Sequence, residues 1–117
     1  MSARGDTGRR AEGLVVERLR GEGYEIVAQN ARVGRLELDI VARRGRLLVV
    51  CEVRSRTSST IHPAETIDPR KIDRIRRATA QLIRETRPGT NGVRFDVAAV
   101  MFDADGTVRI DYYEDAF

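Results

Sequence analysis

The alternation of apolar and polar positions divides the chain into seven segments of regular secondary structure. Two of them have helical spacing, and the other five have period-two alternation or short apolar runs bounded by turn residues. These five strands are predicted over residues 24–30, 35–42, 46–55, 93–102 and 108–112. The segments follow one another in the order α-β-β-β-α-β-β, which predicts an α/β fold with a mixed central sheet flanked by helices.

The two helices are predicted from their apolar stripes and their capping residues. An amphipathic helix is expected over residues 8–21, with Asp6 or Thr7 as the N-cap. The pair Asp68-Pro69 places a capping carboxylate before a proline in the first helical position. It begins the second helix, which runs to about Glu85.

Carboxylates stand on two neighbouring strands where a core-facing strand would carry Val or Leu. Glu37 and Asp39 lie on the first of these strands, and Glu52 lies on the second, followed by Arg54 and Arg56. Side chains of a strand alternate between its two faces. We therefore expect Glu37 and Asp39 to share one face, and Glu52, Arg54 and Arg56 to share one face.

The turn between these strands determines which carboxylates meet. If Arg44-Gly45 is a two-residue loop, Glu37 lies opposite Glu52, whereas a longer loop sets Asp39 opposite Glu52. Both registers leave the three carboxylates on one face of the sheet. Like charges in facing positions are destabilising, so the arrangement calls for a compensating cation, and a divalent metal ion is the simplest candidate.

Composition restricts the class of protein. The chain has 117 residues, 41% of them hydrophobic and 33% charged, as expected for one globular domain. No apolar run is long enough for a membrane span, and no apolar stretch follows the N-terminus as in a secretory signal. The single cysteine, Cys51, lies in the most apolar strand and is expected to be buried. A cytoplasmic location is the default expectation.

The net charge of +3 is modest, but its distribution is uneven. Residues 68–87 are strongly basic, and the tail from Asp103 to Phe117 is acidic. Lys71 is the only lysine, so nearly all basic side chains are arginines. A basic face indicates an anionic partner such as nucleic acid. A solvated arginine-rich surface explains the overall charge equally well.

Several ordered motifs resemble those of the YraN-like family, from Gly8 to Phe117. They are the segments Gly34–Ala42, Val49–Arg56, Pro63–Glu65 and Arg94–Val97, with the closing Ala116-Phe117. This resemblance implies a restriction-endonuclease-like fold. The family is similar to Holliday-junction resolvases and other nucleases of the PD-(D/E)xK group. By analogy we expect a cytoplasmic homodimer that binds DNA and does not associate with a membrane.

The resemblance also assigns roles at the carboxylate cluster. An acid at the end of one strand and a Glu on the next bind Mg²⁺ in such nucleases, and these positions are Asp39 and Glu52 here. Glu12 corresponds to a helical metal ligand, and the backbone carbonyl of Val53 completes the expected site for Mg²⁺ or Mn²⁺. Glu37 belongs to the same motif and is expected either to bind the metal or to support its ligands.

The chain departs from the nuclease pattern at Arg54, where the related enzymes have a lysine. Arginine does not lose its proton in proteins, so Arg54 is a poor general base, although it can stabilise charge on a phosphoryl group. Arg56, Lys71 and Arg74 are expected to contact phosphates. Lys71 could instead supply the missing ammonium from the second helix, but a solvated helix residue is the simpler interpretation.

Three functions remain open from the sequence. The first is a metal-dependent nuclease acting on DNA, with branched DNA as one candidate substrate. The second is a nucleic-acid-binding module that lost turnover with the lysine, and the third is a scaffold that contacts another protein. The polar loop predicted over 56–67, which borders the carboxylates, contains the lone His62, and this histidine has no partner at ligand spacing.

Overall fold

The computed structural model describes residues 3–57 and 67–117 and has seven elements in the predicted order. The predicted loop over 56–67 lies largely outside the described residues, together with His62 and the Pro63–Glu65 motif. Neither helix in the described ranges has the length and apolar character needed to cross a bilayer. The elements are α1 (Ala3–Gly21), β1 (Glu25–Val33), β2 (Leu36–Arg44), β3 (Leu47–Arg56), α2 (Pro69–Thr86), β4 (Gly92–Phe102) and β5 (Val108–Tyr113).

The five strands form one sheet in the order β1-β2-β3-β4-β5. Neighbouring strands are antiparallel except for β3 and β4, which are parallel and are connected through α2. Helix α1 packs on one face of the sheet and α2 on the other, each over its own cluster of buried apolar side chains. Because both faces are covered, β3 is apolar on both sides from Leu48 to Cys51, and Cys51 is buried as expected. The mixed α/β sheet flanked by helices is confirmed.

Helix α1 begins earlier than the sequence predicts. It starts at Ala3, so Asp6 and Thr7 lie within its first turns and the prediction that either residue is the N-cap is wrong. Once a helix has nucleated, each added residue gains one hydrogen bond, so a docked helix extends past a residue that would suit a cap. The apolar stripe is correct, since Ala11, Val15 and Leu19 are fully buried.

Helix α2 begins and ends as its sequence predicts. The Asp68 side chain accepts a hydrogen bond from the backbone N–H of Arg70 at 2.9 Å, and Pro69 occupies the first turn. At the other end Arg87 adopts a left-handed conformation with φ 46° and donates its N–H to the carbonyl of Ile83. These caps fix the residues at which α2 begins and ends.

Two details of strand pairing differ from the prediction. The alternation in the strand predicted over residues 24–30 places Ile26 and Ala28 on one face. In β1 the register shifts between these two residues, so they pack on opposite faces. The β2–β3 hairpin turns at Gly45-Arg46, with Gly45 at φ 62°, rather than at Arg44-Gly45. The register is therefore the one that the longer predicted loop would give.

A buried polar network holds the C-terminal segment against β4. Asp96 is fully buried and accepts two hydrogen bonds from the Arg94 guanidinium, at 2.9 and 2.8 Å. It also accepts one from the Tyr112 hydroxyl at 2.6 Å and one from the backbone N–H of Asp115 at 3.0 Å. Arg94 donates to the Tyr24 hydroxyl as well, at 2.9 Å. All these partners satisfy the carboxylate, so a structural role explains Asp96 fully.

Replacing Asp96 with alanine should destabilise the protein strongly. The change leaves the Arg94 guanidinium, only 17% exposed, without its main counter-ion, at a cost of about 3–5 kcal/mol of unfolding free energy. Urea denaturation measures this loss. Asp111→Ala is the control, because its ion pair with Arg109 is largely exposed and should contribute less than about 1 kcal/mol. Equal losses for the two variants would contradict the assignment.

Candidate metal and phosphate site

Asp39 lies where β2 separates from β3. The described pairing of the two strands runs from Arg44 opposite Leu47 to Ile40 opposite Cys51, one residue short of Asp39. There the Asp39 carboxylate accepts a hydrogen bond from the backbone N–H of Val53 at 2.9 Å. A side-chain oxygen thus takes over the role of a strand carbonyl, and this fixes the carboxylate beside Glu52.

The regular alternation of faces is interrupted at Asp39. Leu38 packs in the cluster under α2, whereas Ile40 packs in the cluster under α1, although two residues that are two apart normally share a face. On the neighbouring strand Asn30, with φ 51°, lies between the positions paired with Leu38 and Ile40. The expectation that Glu37 and Asp39 share a face by simple alternation is therefore wrong. This irregularity turns Asp39 toward β3.

Glu52 is a buried carboxylate with one prominent partner. It lies on the central strand β3, and its side chain is 7% exposed. The Lys71 ammonium approaches it from α2, with 2.5 Å between Nζ and Oε1. An isolated buried charge would be costly, so this ion pair explains how Glu52 is tolerated in the sheet. Lys71 is not the solvated helix residue that the simpler interpretation expected.

The two carboxylates repel each other in a partly dry environment. Burial and the neighbouring charge of Glu52 together raise the pKa of Asp39 to about 7, against the lowering effect of the Val53 hydrogen bond. Glu12 contributes a smaller repulsion, and Lys71 a compensating attraction. Asp39 thus lies close enough to Glu52 for the charges of the two carboxylates to interact.

Glu12 and Glu37 lie at the periphery of this pair. Glu12 on α1 hydrogen-bonds the side chain of Asn30, and burial raises the pKa of Glu12, with further contributions from Glu37 and Glu52. Glu37 is exposed on β2. In residues 3–57 and 67–117 no three His, Cys, Asp or Glu side chains are arranged as a metal-binding group. The structure therefore brings Asp39 and Glu52 together and leaves Glu12 bonded elsewhere.

A cavity of about 480 Å³ opens beside Glu52. Its wall is formed by the end of β3, with Lys71 of α2 and Thr7 of α1. Arg54 and Arg56, both predicted site residues, line it, and Val53 lines it next to the Asp39 hydrogen bond. Arg74 is absent from this lining and borders two shallower grooves along α2 instead. The cavity thus combines one buried carboxylate with three cationic side chains.

Asn30 is the site residue that sequence reasoning missed. Its side chain forms a hydrogen bond with Glu12, and it lies on β1 next to the irregularity at Asp39. Asparagine is depleted in strands but tolerates the left-handed conformation better than most residues. Its position near the end of a predicted strand was the available signal, because an unfavourable strand residue often marks an irregularity.

Comparison with known proteins identifies the family. The family model described as "Uncharacterised protein family UPF0102" matches residues 11–100. The chain belongs to UPF0102. A UPF0102 protein of Sorangium cellulosum is 45% identical, covering 98% of this chain and 83% of that protein. A UPF0102 protein of Porphyromonas gingivalis is 41% identical, covering 100% of this chain and 87% of that protein.

The structure of Pyrococcus furiosus SfsA in complex with Ca²⁺ matches with a TM-score of 0.45 and 15% sequence identity. The match covers 91% of this chain and 63% of that chain. The match to UPF0102 confirms the family to which the sequence motifs pointed.

Replacing Asp39 with asparagine should change stability in a pH-dependent way. With its pKa raised to about 7, folded Asp39 binds a proton between about pH 4 and pH 7 that the unfolded chain releases, so stability falls as pH rises through this range. Asparagine cannot ionise and still offers an oxygen to the Val53 N–H. We expect Asp39→Asn to unfold at a higher temperature than wild type at about pH 8, with the difference vanishing near pH 4.

Thermal unfolding monitored by circular dichroism, with EDTA present, measures the effect at both pH values. Asp111→Asn, which alters a largely exposed ion pair with Arg109, is the control and should not raise the melting temperature at either pH. A stabilisation of Asp39→Asn that is the same at both pH values would show that ionisation of Asp39 is not its cause.

Proposed function

We propose that this UPF0102 protein is a metal-dependent nuclease that hydrolyses phosphodiester bonds in DNA. The observation that carries the proposal is the pair formed by Asp39 and Glu52, held close together beside a cavity with a cationic wall. Structural carboxylates in a protein interior are neutralised by their neighbours, as Asp96 is. Asp39 and Glu52 instead lie close enough to repel each other, and a divalent cation bound between them would relieve that repulsion.

The donor set fits Mg²⁺ or Mn²⁺ bound jointly with substrate. Mg²⁺ is a hard ion that prefers oxygen ligands, and proteins commonly hold it by one or two carboxylates together with waters and substrate phosphates. A site with two strong protein ligands, Asp39 and Glu52, matches that mode better than a closed protein cage. The ion, when bound, would polarise the scissile phosphate. Glu12 and the carbonyl of Val53 stay as proposed additional ligands.

The residues of the chain would orient the reacting groups. Val53 fixes the Asp39 carboxylate, and the rigid central strand fixes Glu52. Arg54 would contact the phosphate and offset the charge that develops as a water oxygen bonds to phosphorus and the bond to the leaving sugar oxygen breaks. The water loses one proton to solvent, and the leaving oxygen gains one. Arg54 itself stays protonated throughout.

From the cavity, a bound nucleic acid would continue along the surface of α2. Two grooves of about 460 and 210 Å³ follow this helix, the first beside Arg70 and Arg74 and the second beside Arg74, Arg77 and Arg35. Guanidinium groups bind phosphates through paired hydrogen bonds and carry no information about base sequence. We therefore propose a preference for DNA structure over sequence, with branched DNA as the first substrate to test and a homodimer as the first assembly.

Cleavage assays test the enzyme directly. With Mn²⁺ and labelled single-stranded, duplex, flapped and four-way branched DNA, wild type should cut at least one substrate. Asp39→Asn and Glu52→Gln should lower the rate by at least about a hundredfold, because each removes a charge that binds the metal. Glu17→Gln, an exposed carboxylate on α1, is the control and should cut at the wild-type rate.

The same assays decide between the remaining functions. Arg54→Lys restores the residue type found in the related nucleases, and a large gain in cleavage would show that the natural protein is attenuated. Salt-sensitive DNA binding without cleavage by either protein would favour the non-catalytic binding module. Absence of both cleavage and binding would overturn the proposal and favour the scaffold.

Arg74→Gln should weaken DNA binding uniformly across sequences. The logarithm of the association constant falls with the logarithm of the salt concentration, and each phosphate contact steepens this decline by about 1. Losing one contact should therefore make the slope about 1 less negative. Fluorescence anisotropy with a labelled duplex in EDTA measures it without cleavage. Arg84→Gln is the matched control, because Arg84 is exposed on α2 but borders neither groove. An equal change in both variants would argue against a defined phosphate track.

A further inference from the structure

Lys71 occupies an unfavourable position for a lysine. It lies in the first turn of α2, just after the Asp68 cap and Pro69. The N-terminal end of a helix carries partial positive charge, so a cation there is destabilising and an acidic residue is preferred. The first turn of α2 nevertheless contains no acidic residue. The ion pair with Glu52 on β3 offsets this cost for Lys71.

The two partners of this ion pair differ in their freedom to move. The Glu52 side chain is 7% exposed and is fixed on the central strand, whereas the Lys71 side chain is 37% exposed and lines the cavity. A lysine side chain has four rotatable bonds and a single terminal charge. The Lys71 ammonium can therefore leave Glu52 and enter the cavity by rotation of its side chain, while the backbone of α2 stays in place.

We propose that Lys71 is a built-in, displaceable counter-ion of the metal site. In the metal-free protein its ammonium forms an ion pair with Glu52. An incoming divalent cation then displaces the ammonium from Glu52. The released ammonium pairs with a phosphate of the nucleic acid in the cavity. This inference rests on the proposed function, for the metal ion in its second step and for the nucleic acid in its last. Lys71 thereby brings from α2 the compact cation that position 54, occupied by arginine, does not provide. The ammonium remains protonated, and no bond is made or broken.

This exchange couples metal binding to nucleic-acid binding. Metal entry alone must separate the Lys71 ammonium from Glu52 and leave it without a strong partner. A phosphate in the cavity supplies that partner, so each ligand should strengthen the binding of the other by the same factor. Part of this coupling would arise from direct contact between metal and phosphate, and the remainder would depend on Lys71.

Isothermal titration calorimetry with Mn²⁺ alone tests the first step. Lys71→Met keeps the length and packing of the side chain but removes the competing charge, so we expect it to bind Mn²⁺ about tenfold more tightly than wild type. Lys71→Arg retains the charge and should stay near wild type. Arg70→Met is the matched control, since it removes a neighbouring positive charge that has no ion pair with Glu52 in the described structure.

The second step is tested by repeating the Mn²⁺ titrations with a non-cleavable phosphorothioate oligonucleotide present. Wild type should gain Mn²⁺ affinity from the oligonucleotide, and Lys71→Met should gain several-fold less. Arg84→Met is the control for this step and should gain as much as wild type, because Arg84 is exposed on α2 and borders neither groove. The Glu52→Gln background provides a double-mutant cycle. In this background Lys71→Met should no longer change the Mn²⁺ affinity, because the Lys71 ammonium and the metal ion no longer compete for the Glu52 carboxylate.

These outcomes separate the inference from the nuclease function. Equal Mn²⁺ affinities for Lys71→Met and Arg70→Met would overturn the counter-ion role, whatever the cleavage assays return. Tighter Mn²⁺ binding by Lys71→Met in a protein that cuts no DNA would support the counter-ion role and overturn the nuclease. If the oligonucleotide raises the Mn²⁺ affinity of Lys71→Met as much as that of wild type, the phosphate step alone is overturned.

Discussion

Repulsion between Asp39 and Glu52 is the constraint around which this end of the fold is built. Each carboxylate is fixed by backbone structure rather than by a flexible side-chain environment: Asp39 by the N–H of Val53, and Glu52 by the pleat of a central strand. The hydrogen bond from Val53 keeps the Asp39 carboxylate next to Glu52. The protein therefore tolerates the repulsion by raising the pKa of Asp39 and by placing Lys71 on Glu52.

Two kinds of buried carboxylate can be told apart in this molecule. Asp96 accepts four hydrogen bonds and has a guanidinium partner, so its charge is fully compensated and its position in a sequence motif reflects stability. Asp39 has one backbone donor and a like-charged neighbour. Both residues belong to motifs shared with one family, and only their surroundings indicate which one is available for a ligand.

The sequence predicts the architecture well and the site in part. The periodicity of apolar positions and the cap of α2 were sufficient to predict the seven elements in their order, because these are local signals, whereas the cap of α1 and the exact hairpin turn were not predicted correctly. The site depends on features that local patterns do not encode, namely the bulge near Val27, the left-handed Asn30 and the resulting turn of Asp39 toward β3. The contact between Lys71 and Glu52 joins two elements, so the sequence could offer it only as one of two interpretations.

The arginine-rich composition has a practical consequence at this site. Lys71 supplies the only side-chain primary amine in the chain. Reductive methylation with ¹³C-formaldehyde would therefore add a single side-chain dimethylamine resonance, distinguishable from that of the α-amino group. Its chemical shift would report the surroundings of one ammonium in a protein that needs no other isotope labelling. A cell extract or a candidate ligand could then be screened for engagement of this cavity by one-dimensional spectroscopy.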